Sequence, residues 1–471
     1  MVFSSFYFIH YFLPAVLAAY YISPRRFRHL ILLTASYLFY SWANPLFLVL
    51  LLFSTLVDYV CARVIGKHDP GERPRLRRSL LCVSILTNLG VLATFKYANF
   101  LTANVFAVLS GFGVTTEPTF VTEFVLPLGL SFYTLQSMSY TIDVFRGHAS
   151  PQRNFIDFAC YVAMFPQLVA GPIVRYPEIA EQFAGRTHTF EKFGRAILFF
   201  SFGLAKKVLL ANPCGMMADH AFDASAITAV DAWVGVVAYA MQIYFDFSGY
   251  SDMAIGLGLM FGFTLPVNFR SPYRASSLQD FWRRWHITLS SWLRDYLYVP
   301  LGGDRRGSRR CYFNIMIVML IGGLWHGAAW TFLIWGSLHG LALLCERAWR
   351  QRSGAKAGSP ILGRVWTMGI VLLAWVFFRA DTLPDAVAFL QSMVTPAFDS
   401  PHALVTSSLI RRPYLIVTLA VAVLCVVCCP ETFKWAERTG PWRLMIALVL
   451  FWLSVSMLAT QSYNPFIYFI F

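Results

Sequence analysis

The sequence predicts an all-α, polytopic membrane protein, and three observations predict it. Of 471 residues, 57% are hydrophobic and only 13% charged, against roughly 25% charged in soluble domains. Apolar runs of helical length recur along the whole chain. Its 38 lysines and arginines gather in short stretches between those runs, the pattern that positive-inside orientation produces. About 9 to 12 transmembrane or re-entrant helices are expected, several tilted or broken, because many runs fall short of the roughly 20 residues a straight span needs.

The first run, residues 3–21, has no Lys or Arg before it, so it lacks the basic leader of a cleavable signal peptide and is expected to be retained. Arg25, Arg26 and Arg28 follow it, and after runs at 31–41 and 46–62 comes a second basic cluster, Arg63 to Arg78. That parity predicts an external N-terminus and cytoplasmic clusters. Runs at 80–95 and 125–140 lead to "MFPQLVAGPIVRYP", residues 164–177, where Pro166, Gly171 and Pro172 interrupt apolar sequence bounded by Arg153 and Arg175. A segment that enters and returns on one side is expected there, and such backbone is tolerated only where protein or a water-filled cavity covers it. Runs at 230–244, 311–324, 330–345, 365–378, 414–429 and 444–458 complete the set. No linker or internal repeat divides the chain, so residues 1–471 read as one membrane domain. Membrane lipid is its expected surrounding. The net charge of +14 raises nucleic acid as a partner, but positive-inside placement accounts for it and none is expected.

Residues 268–310, "NFRSPYRASSLQDFWRRWHITLSSWLRDYLYVPLGGDRRGSRR", hold nine arginines against three aspartates. At about 100° per residue, Phe281, Trp282, Trp285, Leu289, Trp292, Leu293, Tyr296 and Leu297 fall on one side of a helix and Arg283, Arg284, Ser290, Ser291, Arg294 and Asp295 on the other. A basic amphipathic segment at the cytoplasmic interface is predicted. His286 falls near the border of the two faces, where a snorkelling ring would sit.

Among ten histidines, His326 stands apart. In "IGGLWHGAAWTF", residues 321–332, it lies 16 residues beyond Arg310, so a continuous helix carries it roughly 24 Å from the basic loop. Ionisable groups at that depth face a bundle interior, a pathway or a partner. An apolar site favours the neutral imidazole, which can accept a proton; a general base and a buried interhelical hydrogen bond both remain open. His10 and His339 sit in helical runs, where a bond to a neighbouring helix is expected. Asp246 and Asp252, in "YFDFSGYSDMAIG", either line a polar path or bridge helices. The nine cysteines lie mostly in or beside apolar runs without metal spacing, so neither a disulfide framework nor a metal is expected. No G-x-S-x-G, H-E-x-x-H or P-loop motif is present.

Three blocks, "YFDFSGYSDMAIGLGLMFGF", "FWRRWHITLSSWLRDYLYVPLGG" and "GGLWHGAAWTFLIWGSLHG", resemble in order the signature blocks of the membrane-bound O-acyltransferase superfamily, nearest its bacterial alginate O-acetyltransferase branch. The similarity extends from "MVFSS" through "FKYANF", "LPLGLSFYTLQSMSYTIDVFRG" and "AGPIVR" to the terminal "QSYNPFIYFIF". The resemblance implies a ring of tilted helices around a central tunnel open to both sides, in the bacterial cytoplasmic (inner) membrane. It assigns His326 as the catalytic residue and His286 as the second functional position. The implied reaction passes an acetyl group from cytoplasmic acetyl-CoA, a substrate rather than a bound cofactor, toward an exported polysaccharide, alginate first, through external acetyltransferase partner proteins. His326 would be the general base and His286 would orient or polarise the acyl carbonyl. Arg283, Arg284 and Arg294 suit the phosphates of coenzyme A, although positive-inside topology also explains them. Tyr468, in "FIYFIF", is either part of an end packed at the interface or a transient acetyl carrier. O-acetylation of peptidoglycan or cellulose, D-alanylation of teichoic acid, and a transporter that does no chemistry are the alternatives.

Overall fold

The structure, a computed structural model, describes residues 1–42, 44–69, 71–113, 124–305, 307–353, 359–395 and 400–467. Among the described residues all regular structure is helical, with no strand. The chain forms two compact units, Met1–Thr189 with Leu257–Leu265, and Phe190–Gly256 with the chain from Pro266 onward. Each predicted apolar run becomes a helix or part of one. Among the described residues four helices are long and apolar enough to cross a membrane, Leu46–Ile65, Pro74–Gly111, Pro360–Arg379 and Pro441–Thr460; Pro401–Ile410 and Pro413–Cys428, bent by 60°, make a fifth if they count as one span. These are fewer than the apolar runs because other helices are short or bury polar side chains, as Ala229–Met260 buries Gln242, Asp246, Ser248 and Ser251.

In the first unit, Leu46–Ile65 packs on Pro74–Leu92 and Leu130–Arg146 around Asp58, which is 0% exposed. Its carboxylate accepts from Ser84 Oγ at 2.5 Å, from Asn88 Nδ2 at 2.8 Å and from Ser137 Oγ. An apolar span holds one carboxylate here because its neighbours supply every donor, the polar glue of membrane helices. The interrupted segment is covered by protein. Met164 to Val174 are buried around the single turn Phe165–Leu168, and side chains meet its backbone: Ser36 Oγ accepts from Phe165 N at 3.0 Å and Tyr161 OH donates to Val174 O at 2.9 Å. Two further histidines are bonded within this unit, His29 to Asp157 at 2.7 Å and His188 to Tyr20 at 3.0 Å.

In the second unit, Phe190–Ala205 continues through a π turn, Lys206–Ala211, into Asn212–Phe222. The single amphipathic helix expected over 281–297 is replaced by two short helices, Leu278–Arg284 and Ile287–Leu293, followed by a π turn, Arg294–Tyr298. The helical break falls at His286, whose φ and ψ of 43° and 56° are left-handed, a conformation that costs a non-glycine residue on the order of 1–3 kcal/mol. Two backbone bonds hold it there: Arg270 N to Arg284 O at 3.0 Å and Ile287 N to Asn268 O at 2.9 Å. They clamp residues 268–270 alongside 284–287. Consequently His286 is not a border residue at an interface but fully buried, at 0% exposure.

Candidate active site

His326 is the last residue of the uninterrupted helix Ser308–His326 and is 4% exposed, so the continuous helix the sequence required is present. That helix lies on Trp330–Ser353 backbone to backbone: a Cβ at Gly323 would stand 2.3 Å from Phe332 O, and one at Gly336 2.4 Å from Met319 O. Only glycine permits that approach. The imidazole is enclosed by rings, with centroids of Trp325, Trp335 and Phe378 at 5.0, 5.1 and 5.2 Å.

His286 reaches the same aromatic cluster, 5.9 Å from Trp325 and 4.7 Å from Phe247. Its Nδ1 lies 3.2 Å from Asn268 Oδ1, which also accepts from Thr288 N at 3.2 Å and Thr288 Oγ1 at 3.0 Å. The backbone N–H of Thr288 identifies that amide atom as oxygen, so the network assigns the proton to His286 Nδ1 and leaves Nε2 as an acceptor. Burial pushes the imidazole down to about 3, so the ring is neutral at physiological pH. Asn268, 1% exposed and with no hydrogen bond to Nδ2 among the described residues, is a candidate site residue that sequence reasoning missed. Nothing in "VNFRSP" distinguishes it before the fold closes it against the 284–287 break.

A cavity of about 690 Å³ lies beside these rings, lined among others by Trp282, Arg283, Ser290, Ser291, Arg294, Tyr298, Asp304, Glu346, Arg347 and Arg350. Four arginines against two carboxylates leave it positive. Of the three arginines expected to meet phosphates, Arg283 and Arg294 line it; Arg284 does not, because its Nε pairs with Asp280 at 2.8 Å and its guanidinium turns toward Arg270 O. Arg347 and Arg350 come from the far end of Trp330–Ser353, tied to Asp304 at 3.5 Å and to Glu346. Their three-residue spacing puts both on one helix face, a signal present in the sequence but read there only as loop charge.

Asp246 and Asp252 bridge helices. Lys207 Nζ sits 2.8 Å from Asp246 Oδ1, with both side chains 3% exposed or less, and Lys206 Nζ sits 2.6 Å from Asp252 Oδ2. The first pair also holds the end of the chain: Lys207 donates to Pro465 O, Asp246 Oδ2 accepts from Ile467 N at 3.0 Å, and Asn212 Nδ2 donates to Tyr463 O at 3.2 Å. Tyr468 lies outside the described residues. The interhelical bond expected for His339 is not made, since both its ring nitrogens lack a hydrogen bond among the described residues and the ring is 0% exposed. No group of three or more His, Cys, Asp or Glu among the described residues is placed to hold a metal.

Residues 78–379 match the membrane-bound O-acyltransferase family. The chain is 49% identical to a "probable alginate O-acetylase AlgI" of Azotobacter vinelandii over 82% of its own length and 76% of that protein. It is 42% identical to the protein of the same name from Pseudomonas putida over the whole of both chains, and 39% identical to a peptidoglycan O-acetyltransferase of Helicobacter pylori over 82% and 78%. With its helices of membrane-crossing length, the chain belongs to the membrane-bound O-acyltransferase family and is a multi-pass membrane O-acyltransferase.

Proposed function

We propose that this chain takes an acetyl group from acetyl-CoA on the cytoplasmic side of the inner membrane and passes it across for O-acetylation of an exported polysaccharide, alginate by the names of its relatives. One observation carries the reading. Trp282 lines the arginine-rich cavity, its ring meets Trp335 at 5.7 Å, and Trp335 meets His326 at 5.1 Å. Phosphates of the donor fit Arg283, Arg294, Arg347 and Arg350, whose planar forks suit such anions, while the acyl end is directed inward.

His326 is proposed as the general base on the attacking hydroxyl. For His286, the neutral ring with its proton on Nδ1 supports orienting a donor group through Nε2, and Asn268 Nδ2 is better suited to polarise the acyl carbonyl. Tyr468 remains a proposed acetyl carrier, delivering to an external acetyltransferase partner. The anchoring of residues 463–467 by Lys207, Asp246 and Asn212 supports a fixed position for the segment that precedes it. Peptidoglycan is a second candidate acceptor, favoured by the name of the Helicobacter pylori relative.

Equilibrium binding of coenzyme A to the full chain in detergent tests the donor reading. Arg347→Ala is expected to weaken binding about tenfold, as loss of a charge-assisted hydrogen bond would. The remaining affinity should fall with added salt. Wild-type affinity in Arg283→Ala, Arg294→Ala, Arg347→Ala and Arg350→Ala alike would overturn the assignment. The acceptor is tested separately, by comparing ester-linked acetate on alginate and on peptidoglycan in cells with and without the protein.

A further inference from the structure

Pro413–Cys428 and Pro441–Thr460 both pack on the π turn Lys206–Ala211, and a second cavity, of about 580 Å³, is lined by all three. Its walls are apolar: Leu209 and Leu210 from the turn, Val417 and Val421 from the first helix, Ile446 and Leu450 from the second. Polar groups gather at one end, where the first helix stops and residues 429–440 lead to the next. Lys206, Glu431 and Thr432 line the cavity there, and Lys206 Nζ and Thr432 Oγ1 meet on Asp252 Oδ2 at 2.6 and 2.7 Å. Val417 lies eleven residues before Cys428 and Leu450 nine residues after Pro441, so the apolar part reaches roughly 14 to 17 Å from that end at 1.5 Å per residue. That is about half the ~30 Å hydrocarbon thickness, the depth of one leaflet. The connecting residues carry Lys434 and Arg438, with Arg443 just after, and positive-inside placement puts them on the cytoplasmic side. Trp435 lines the cavity and packs under the Arg443 guanidinium at 5.4 Å, the kind of amphipathic ring that sits at headgroup level.

We infer that this cavity binds one acyl chain of a cytoplasmic-leaflet phospholipid with a zwitterionic primary-amine headgroup, phosphatidylethanolamine, whose headgroup sits at the polar end. The charges at that end select the headgroup. Lys206 and Asp252 neutralise each other. Glu431 is left over, since its carboxylate caps no helix and pairs with no lysine or arginine among the described residues. Arg274 is left over as well. Its Nε donates to Val426 O at 2.6 Å and its Nη2 to Cys429 O at 2.7 Å, carbonyls of two residues that line the cavity, and it meets no carboxylate among the described residues. A guanidinium has five N–H donors, so Arg274 keeps donors for a phosphate oxygen. One cation and one anion match the phosphate and the ammonium of a zwitterion. An anionic headgroup would leave Glu431 unopposed, and the quaternary ammonium of choline has no N–H to give the carboxylate a charge-assisted hydrogen bond. Ser271, which lines the cavity at a φ of 45°, adds a hydroxyl that bonds to no described residue and can donate to a phosphate or ester oxygen. Such strain in a non-glycine residue is characteristic of ligand sites.

The test titrates the full chain in detergent with phosphatidylethanolamine, phosphatidylcholine and phosphatidylglycerol of identical acyl chains, and reads bound lipid by native mass spectrometry. One phosphatidylethanolamine per chain is expected, bound about tenfold more tightly than either other lipid, as a charge-assisted hydrogen bond would give. Glu431→Gln should bring phosphatidylethanolamine down to the phosphatidylcholine level. Val421→Trp, which fills the cavity, should weaken all three lipids about tenfold, whereas Leu424→Trp, on the exposed side of the same helix, should change none of them. If Val421→Trp does not fold, the smaller Val417→Phe makes the same comparison. Equal affinity for the three lipids in wild type would mean annular lipid only and overturn the inference, as would wild-type binding by the filled cavity. A benzophenone amino acid at position 421, irradiated in cell membranes, identifies the occupant in place. Cross-linked phosphatidylethanolamine is expected, and a cross-linked protein segment would overturn the inference.

Discussion

Cells carrying His326→Asn, with the protein at wild-type level in the membrane, are expected to lose polysaccharide O-acetylation, with transfer slowed by about 10²- to 10⁴-fold, the usual worth of a positioned general base. The imidazole sits at the end of Ser308–His326 inside a ring of Trp325, Trp335 and Phe378. Asparagine fits that space and keeps hydrogen-bonding capacity but cannot take a proton. The packing that places the residue does not depend on the imidazole, because Gly323 and Gly336 set the approach of the two helices. Thermal unfolding of the variant should therefore stay close to wild type while ester-linked acetate on the exported polymer disappears. Loss of folded protein in parallel with activity would assign His326 a structural bond instead.

Lys207→Met is expected to lower the stability of the solubilised protein by about 3–5 kcal/mol, the effect of leaving one member of a buried ion pair uncompensated. Its partner, Asp246, is 2% exposed and 2.8 Å away. Adding Asp246→Leu should restore most of that loss, since an apolar pair of similar volume avoids the stranded charge, although Ile467 N then lacks its acceptor. The two variants separate stability from placement of residues 463–467. In the double variant the helices are expected to hold while residues 463–467 become accessible to carboxypeptidase. Thermal unfolding with limited proteolysis reads both; a single variant as stable as wild type would refute the clamp.

Much of the fold was legible because membrane helices announce themselves by composition. "LFLVLLLFSTLVDYV" and "PWRLMIALVLFWLSV" can be little else, and both form helices of membrane-crossing length. His326 was legible for a related reason, since an imidazole in so apolar a helix has few unexceptional explanations. Periodicity failed over 281–297. Eight apolar residues at helical spacing were consistent with one amphipathic helix, but the turn at His286 is imposed by residues 268–270 lying alongside, a tertiary constraint with no local trace. Asn268 was invisible on the same ground. Asp246 and Asp252 were ambiguous because a carboxylate in apolar sequence looks alike whether it lines a path or meets a lysine. The adjacent Lys206 and Lys207 answer that only through a π turn that brings both toward Ala229–Met260. Arg347 and Arg350 were readable as one helix face, yet nothing linear joins them to Arg283 and Arg294 across more than fifty residues.

The central claim is that a thioester held in the arginine cavity gives up its acyl group at His326. Acetyl-CoA labelled in the acetyl carbon, supplied to membranes containing the full chain, tests it most directly. The account predicts that label leaves coenzyme A and appears on the protein or its acceptor, that adenosine 3′,5′-bisphosphate competes, and that His326→Asn abolishes transfer while coenzyme A still binds. Label that stays on coenzyme A in membranes whose cells acetylate their polymer, or transfer at the wild-type rate by His326→Asn, would contradict it.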